Sequence, residues 1–194
     1  MKIKIKDIVE SVSITHSFNK DKLHFLNTSD VLDGKIINDC VYDINELKGQ
    51  AKKTIQNGDI LFSEIRPKNR RFAVVNVKNP EDYVISTKLM VLRKFNKDID
   101  FEYFYYSLTN EDFLDKLQRR AENRICSFPQ ITFDILGDYE IELYAMDTQK
   151  KIAGILGNID RQIERNNAMI QKLLSFVYTI CCISHKKGEL RYAC

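Results

Sequence analysis

The chain has 194 residues, 44% hydrophobic and 29% charged, with a formal net charge of +3. That size and apolar content fit one globular domain with an appendage, or two small domains. So small a net charge gives no warrant for nucleic-acid binding by bulk charge, so any basic surface has to come from local clustering.

Met1 to Lys6 alternates apolar residues with Lys and lacks the apolar run of a signal peptide. No apolar stretch approaches the ~20 residues of a membrane span. Five cysteines without CxxC spacing and three scattered histidines make no metal motif. Adjacent Cys181 and Cys182 read as small apolar helix residues in a reducing cytosol, so a cytoplasmic location is expected.

In chain order, Lys2 to Lys6 predicts a short strand or entry segment, and Ile8, Val9 and Val12 follow at helical spacing. Leu23 to Leu26 reads as a strand. Asp33-Gly34 is a hairpin turn between Val31-Leu32 and Ile36-Ile37. Asn57-Gly58-Asp59 turns the chain into Ile60-Leu61-Phe62, a buried strand. Phe72 to Val77 and Lys88 to Leu92 are further strands, separated by the Asn79-Pro80 break. Asp100 and Asn110 are N-caps for two helices carrying Phe101, Phe104, Tyr105 and Leu108, then Phe113, Leu114 and Leu117. Phe128-Pro129 ends this helical part, and Tyr139 to Leu143 returns as a strand.

From Asp147 onward the pattern changes. Ile152, Leu156, Ile159, Ile163, Asn166, Ile170, Leu173, Val177 and Ile180 alternate spacings of four and three, the seam of a coiled coil. Ile155, Met169, Leu174 and Phe176 widen the apolar stripe. Asp147 is placed to cap the first turn. A helix of this length, roughly 50 Å, exceeds what a domain of this size needs to cover its core, so pairing with another helix is expected. A long helix folded back on its own domain is the competing reading. A lone Asn in such a seam costs stability, and its best-attested use is to fix register and partner number. The expected fold is therefore α+β: a mixed β-rich domain over 1–143, a long coiled-coil helix over 147–183, and a tail over 184–194.

Two basic clusters stand out. Arg66, Lys68, Asn69, Arg70 and Arg71 surround Pro67 between two strands, and Arg119, Arg120 and Arg124 fall at a helix end. Arg can grip guanine or phosphate with two hydrogen bonds, and Asn can do the same for adenine. Lys48, Lys52, Lys53 and Lys88 suit phosphate contacts that position without specifying. Solvated loop charges are the plain alternative. Signals for catalysis are weak. Asn79-Pro80 is similar to the start of an amino-methyltransferase motif, but Glu81 stands where a second Pro belongs. Glu64 beside Arg66 is not the carboxylate cluster a Mg²⁺ nuclease needs, and there is no phosphate-binding Gly-Lys loop or nucleophile elbow.

Four stretches taken together resemble the specificity subunits of type I restriction-modification systems. They are Gly49-Gln50-Ala51-Lys52-Lys53 running to Gly58-Asp59-Ile60-Leu61-Phe62-Ser63 and Arg66-Pro67; Ile85-Ser86-Thr87 before Met90-Val91-Leu92-Arg93; Phe128-Pro129-Gln130-Ile131 before Ile141-Glu142-Leu143; and Gln149-Lys150-Lys151-Ile152-Ala153 through Ile155-Leu156 to Ile159-Asp160-Arg161-Gln162-Ile163. The combination, over some 140 residues, matches one target-recognition domain and one spacer helix. The resemblance implies a non-catalytic reader of double-stranded DNA that directs a methyltransferase (modification) subunit, and indirectly a restriction subunit, to a bipartite site. It implies no cofactor in this chain, with S-adenosylmethionine, ATP and Mg²⁺ belonging to the partner subunits. One recognition domain and one helix suggest a half-subunit that works as a homodimer, or with another half, through the C-terminal helix. Where the family usually has Pro-Pro-Leu-x-Glu-Gln, this chain has Tyr144-Ala145-Met146-Asp147-Thr148-Gln149 and keeps only Gln149 clearly. The rival readings are a decoy that binds spacer helices or the methyltransferase without reading DNA, a truncated remnant, and an independent nuclease or methyltransferase.

Overall fold

The structure, a computed structural model, describes residues 1–47, 49–123 and 130–189. Contacts divide the chain into two compact units, 1–150 and 151–194.

The first unit begins with β1 (Lys2–Lys4), β2 (Val9–Val12), β3 (Lys22–Leu26), β4 (Val31–Leu32), β5 (Lys35–Ile36) and β6 (Val41–Asp43). It continues with β7 (Ala51–Lys53), β8 (Ile60–Ser63), β9 (Phe72–Val74), β10 (Tyr83–Ser86) and β11 (Leu89–Lys94). Helices α1 (Phe101–Thr109), α2 (Glu111–Glu122) and α3 (Phe133–Gly137) follow, then β12 (Glu140–Glu142). Strands β6-β3-β10-β7 form one sheet and β2-β11-β8-β9 another, while β12 pairs with β1 and β4 with β5. Only the β10–β3 pairing within these two sheets is parallel.

The β8 run Ile60-Leu61-Phe62 is apolar at every position because its sheet is covered on both faces. Leu61, Ala73, Leu89 and Val91 join Leu26 and Ile85 of the other sheet in one core between the two. The alternate residues Ile60, Phe62, Phe72, Met90 and Leu92 point the other way, and each is at most 1% exposed. On that face Phe72 stacks on Phe62 and meets Tyr105 of α1 edge-on. Each such side chain contributes about 1.5–3 kcal/mol by leaving water.

Local chemistry explains the turns. Asp33 and Gly34 both have positive φ, 47° and 85°, the conformation a two-residue hairpin requires. Gly34 is also needed for space, since a Cβ there would collide with the Tyr105 hydroxyl. Asp59 follows Gly58 and is almost wholly buried; it accepts two hydrogen bonds from the Arg93 guanidinium, at 2.8 and 2.7 Å, and one from the Gln56 amide at 2.7 Å. The helix starts form as the sequence predicts: Asp100 accepts from the Tyr103 amide and Asn110 from the Phe113 amide.

Three local expectations are corrected. Val9 to Val12 is a strand and not helical, because pairing with β11, Val12 opposite Val91 and Val9 opposite Lys94, outweighs a spacing that three apolar residues barely define. Strands β6, β7 and β10 were not foreseen; the first two are only three residues long and carry polar side chains. Asp147 lies inside the first turn of α4 (Met146–Glu189) and does not precede it, a position where its charge still favours the helix dipole. Gln149 has a structural role: its Oε1 accepts from the Asp100 amide at 2.8 Å, and its Nε2 donates to the carbonyls of Asp98 and Tyr144.

Helix α4 has 44 residues, about 66 Å at 1.5 Å each, and continues past Ile183. Its seam residues Leu156, Ile159, Ile163, Ile170, Leu173 and Val177 are all exposed, as are the flanking Ile155, Met169, Leu174 and Phe176.

Candidate nucleic-acid interface

After β8 the chain makes a single turn of 3-10 helix at Pro67–Asn69, bounded by Arg66 at φ 48° and Arg70 at φ 55°. Left-handed conformations at residues with a Cβ cost roughly 1–2 kcal/mol each, so the surroundings must impose them. Pro67 is buried. The Asn69 amide donates to the Arg66 carbonyl at 2.8 Å and the Arg70 amide to the Pro67 carbonyl at 3.0 Å. The Lys68 amide donates to Oε1 of Gln118 on α2 at 3.3 Å, and the Asp33 amide donates to the Arg70 carbonyl at 3.0 Å.

The cations predicted from this loop divide into two kinds. Lys68 pairs with Asp115 at 2.8 Å. Arg70 pairs with Asp33 and, at 3.2 Å, with Glu111, and lies over the Phe72 ring. Arg71 donates to the carbonyls of Ser29 and Val31. These three hold the loop against its neighbours. Arg66 and Asn69, by contrast, are exposed and their side chains have no partner among the described residues.

The loop packs on α2, which brings Arg119 of the second basic cluster beside it, whereas Arg120 lines a pocket with Asp134, Asp138 and Tyr139. Arg119 and Arg120 are exposed in its last turn, and neither side chain has a partner among the described residues. The hydrogen bond to Asp115 raises the Lys68 pKa above the ordinary lysine value while Arg119 pushes it down, so Arg119 and the loop share one electrostatic neighbourhood. Arg124 and Lys48 lie outside the described residues.

Backbone hydrogen bonds extend the same rim. The Thr87 amide donates to the Gln50 carbonyl at 2.9 Å, the Glu64 amide to the Lys88 carbonyl at 3.1 Å, and the Ile131 amide to the Glu64 carbonyl at 2.7 Å. Gln130 donates through Nε2 to Glu64 at 2.7 Å. Lys52 is exposed and Lys88 half-buried, neither side chain partnered among the described residues. Lys53 differs from the other lysines of this rim. Successive strand residues face opposite sides, so Lys53 turns inward where Lys52 turns out; it is 8% exposed and donates to the carbonyls of Leu89 at 2.8 Å and Thr87 at 3.3 Å. Burial lowers its pKa, partly opposed by Glu64.

Sequence reasoning missed the partners Asp33, Glu111, Asp115, Gln118 and Gln130. Asp33 carried a signal as a turn residue and Gln130 as part of a family stretch, and nothing local marks either as a partner of this loop. Free guanidinium, amide and ammonium groups on one rim can take phosphates and base edges. Among the described residues no three His, Cys, Asp or Glu side chains are grouped to hold a metal ion, and no helix is long and apolar enough to cross a membrane.

Residues 1–175 match the family described as the type I restriction modification DNA specificity domain. The chain belongs to that family. It is 36% identical over 168 residues to the type I restriction enzyme HindI specificity subunit of Haemophilus influenzae, covering 86% of this chain and 36% of that protein. It is 28% identical over 200 residues to the putative MjaX specificity subunit of Methanocaldococcus jannaschii, covering 94% and 46%. The HsdS subunit of Thermoanaerobacter tengcongensis shares its fold with a TM-score of 0.70 at 20% identity, over 89% of this chain and 45% of that one. The S subunit from M. genitalium gives 0.56 at 12%, over 91% and 43%. This specificity-family chain thus spans less than half the length of each of these relatives. The fold they share, mixed sheets followed by a long helix, is the α+β arrangement expected from the sequence.

Proposed function

We propose that this chain reads DNA sequence for a type I restriction-modification complex, without catalysis of its own. The observation that carries the reading is the group of side chains Arg66, Asn69, Lys88, Lys52 and Arg119, presented with no side-chain partner among the described residues, in a chain whose family is defined by DNA specificity. Arg66 and Asn69 are the base readers, fixed by the strained turn between them. Lys52, Lys88 and Arg119 hold phosphates. Lys68, Arg70 and Arg71 brace the loop.

The exposed seam of α4 takes a second helix, which in this proposal belongs to another copy of the chain. Two reading modules joined in this way recognise a bipartite site, and the methyltransferase subunit docks on the assembly and supplies S-adenosylmethionine chemistry. Asn166, the polar residue of the seam, sets the register of pairing.

Salt titration of duplex binding by the full chain tests the reading. A reader that neutralises Z phosphates loses affinity with a log–log slope of about −0.9Z, so three cations give a slope of about −2.7. A decoy that acts only through its helix shows no salt-dependent duplex binding, with or without a methyltransferase partner, and that result would reject the proposal. Sedimentation of wild-type and Asn166→Leu chains checks the pairing. A monomer in both cases removes the homodimer part.

A further inference from the structure

We infer that Asp33 and Glu111 form a carboxylate clamp that sets the conformation of the 66–70 loop, and so act as positioning residues for base reading without touching DNA. The inference rests on the DNA-reading function proposed above. It starts from the two left-handed residues that bound the turn, Arg66 and Arg70. In a free chain each such conformation is disfavoured about 5- to 30-fold, so contacts outside the turn must make it the dominant one.

Lys68 contributes through Gln118 and Asp115, and the larger set of contacts converges on Arg70. Its carbonyl accepts from the Asp33 amide at 3.0 Å, its Nε donates to the Asp33 carboxylate, its Nη1 donates to Glu111 at 3.2 Å, and its guanidinium lies 5.6 Å from the centre of the Phe72 ring. Both jaws are themselves anchored. Asp33 sits on the β4–β5 hairpin, where the Gly34 amide donates to the Phe72 carbonyl at 3.0 Å and the Gly34 carbonyl accepts from Val74 at 3.1 Å. Glu111 stands in the first turn of α2, behind the Asn110 cap. The loop is gripped from a hairpin on one side and a helix on the other, and Arg66 and Asn69 are the residues left projecting.

Charge alone makes the opposite prediction, which gives the test its force. A carboxylate beside a DNA-binding rim repels phosphates, so removing it should tighten binding to any duplex. If the carboxylates are a clamp, removing one costs discrimination between sequences, whatever happens to non-specific affinity.

The full wild-type chain selects its preferred duplex from a random-sequence library. The affinities of wild-type, Asp33→Gly, Asp33→Asn and Glu111→Gln chains are then measured for that duplex and a scrambled one. Asp33→Gly keeps the positive φ accessible while removing the carboxylate, and Glu111→Gln changes an exposed side chain, so it carries the test if Asp33→Gly lowers the melting temperature. The expected result is a fall of about tenfold in the ratio of selected to scrambled affinity, the scale of one lost base contact, with scrambled binding unchanged or tighter. A ratio kept within about twofold in Glu111→Gln and the Asp33 variants overturns the clamp alone. Failure of the wild-type chain to enrich any sequence overturns the DNA-reading proposal, and the clamp with it.

Discussion

Lys53 was expected on phosphates and is found inside, and replacing it with Met separates the two roles. The side chain is 8% exposed, with its ammonium donating to the Leu89 and Thr87 carbonyls at 2.8 and 3.3 Å. Losing hydrogen bonds from a charged donor costs about 1.5–3 kcal/mol. Burying an ammonium costs several kcal/mol, and Met escapes that penalty while filling similar space. The two largely offset each other, so Lys53→Met should change stability by no more than about 1.5 kcal/mol, or roughly 3–6 °C in Tm for a chain of this size. DNA affinity should keep its full salt slope, whereas Lys52→Met should flatten the slope by about 0.9, one phosphate contact. The assay is fluorescence anisotropy of the full chain on a duplex across a salt series. A slope flattened by Lys53→Met and left alone by Lys52→Met would refute the inward placement of Lys53.

Gly34→Ala forces a Cβ against the Tyr105 hydroxyl at a backbone φ of 85° and should cost about 2 kcal/mol, read as a lowered Tm; an unchanged Tm would contradict the contact. Arg93→Ala strands the buried Asp59 carboxylate and should cost about 3–5 kcal/mol, measured by urea unfolding; a loss below about 1 kcal/mol, the range of a surface pair, would show that the carboxylate finds water or another donor. Tyr83 is pushed up to about 12 by burial and by its hydrogen bond to Asp39. Since its folded pKa lies above the unfolded value near 10, the folded state binds more protons between these values, and stability falls as pH rises from 10 to 12. The depressed pKa of Lys53 acts with the opposite sign: its burial penalty is relieved as pH rises through the lowered folded pKa towards 10.5. A Tyr83→Phe chain should lose less stability than wild type across pH 10–12 in melting experiments; identical profiles would remove the Tyr83 contribution.

Much of the fold was legible because its signals are local. Asp100 and Asn110 announce helices through side chains that reach amides three residues on, and Asp33-Gly34 announces a hairpin through backbone conformations few residues adopt. Strands such as β7 and β10 were not legible, since their stability comes from partners distant in sequence: Tyr83 pairs with His24 and Ile85 with Lys53. The candidate interface was half legible for the same reason. Residue chemistry picked out both basic clusters but could not tell Arg66 from Arg70. That difference depends on Asp33 and Glu111, which lie 37 and 41 positions away and meet Arg70 only after folding. Lys52 and Lys53 look equivalent as letters, and the strand pleat separates them.

The claim that the 66–70 loop reads bases through Arg66 is tested most directly by substituting each base pair of the selected duplex in turn and comparing wild-type with Arg66→Ala chains. The variant should lose preference at one position, by about 1–3 kcal/mol, and keep it at the others. An equal loss of affinity for every duplex, with the pattern of preferences intact, would show that Arg66 only holds phosphate and does not read a base.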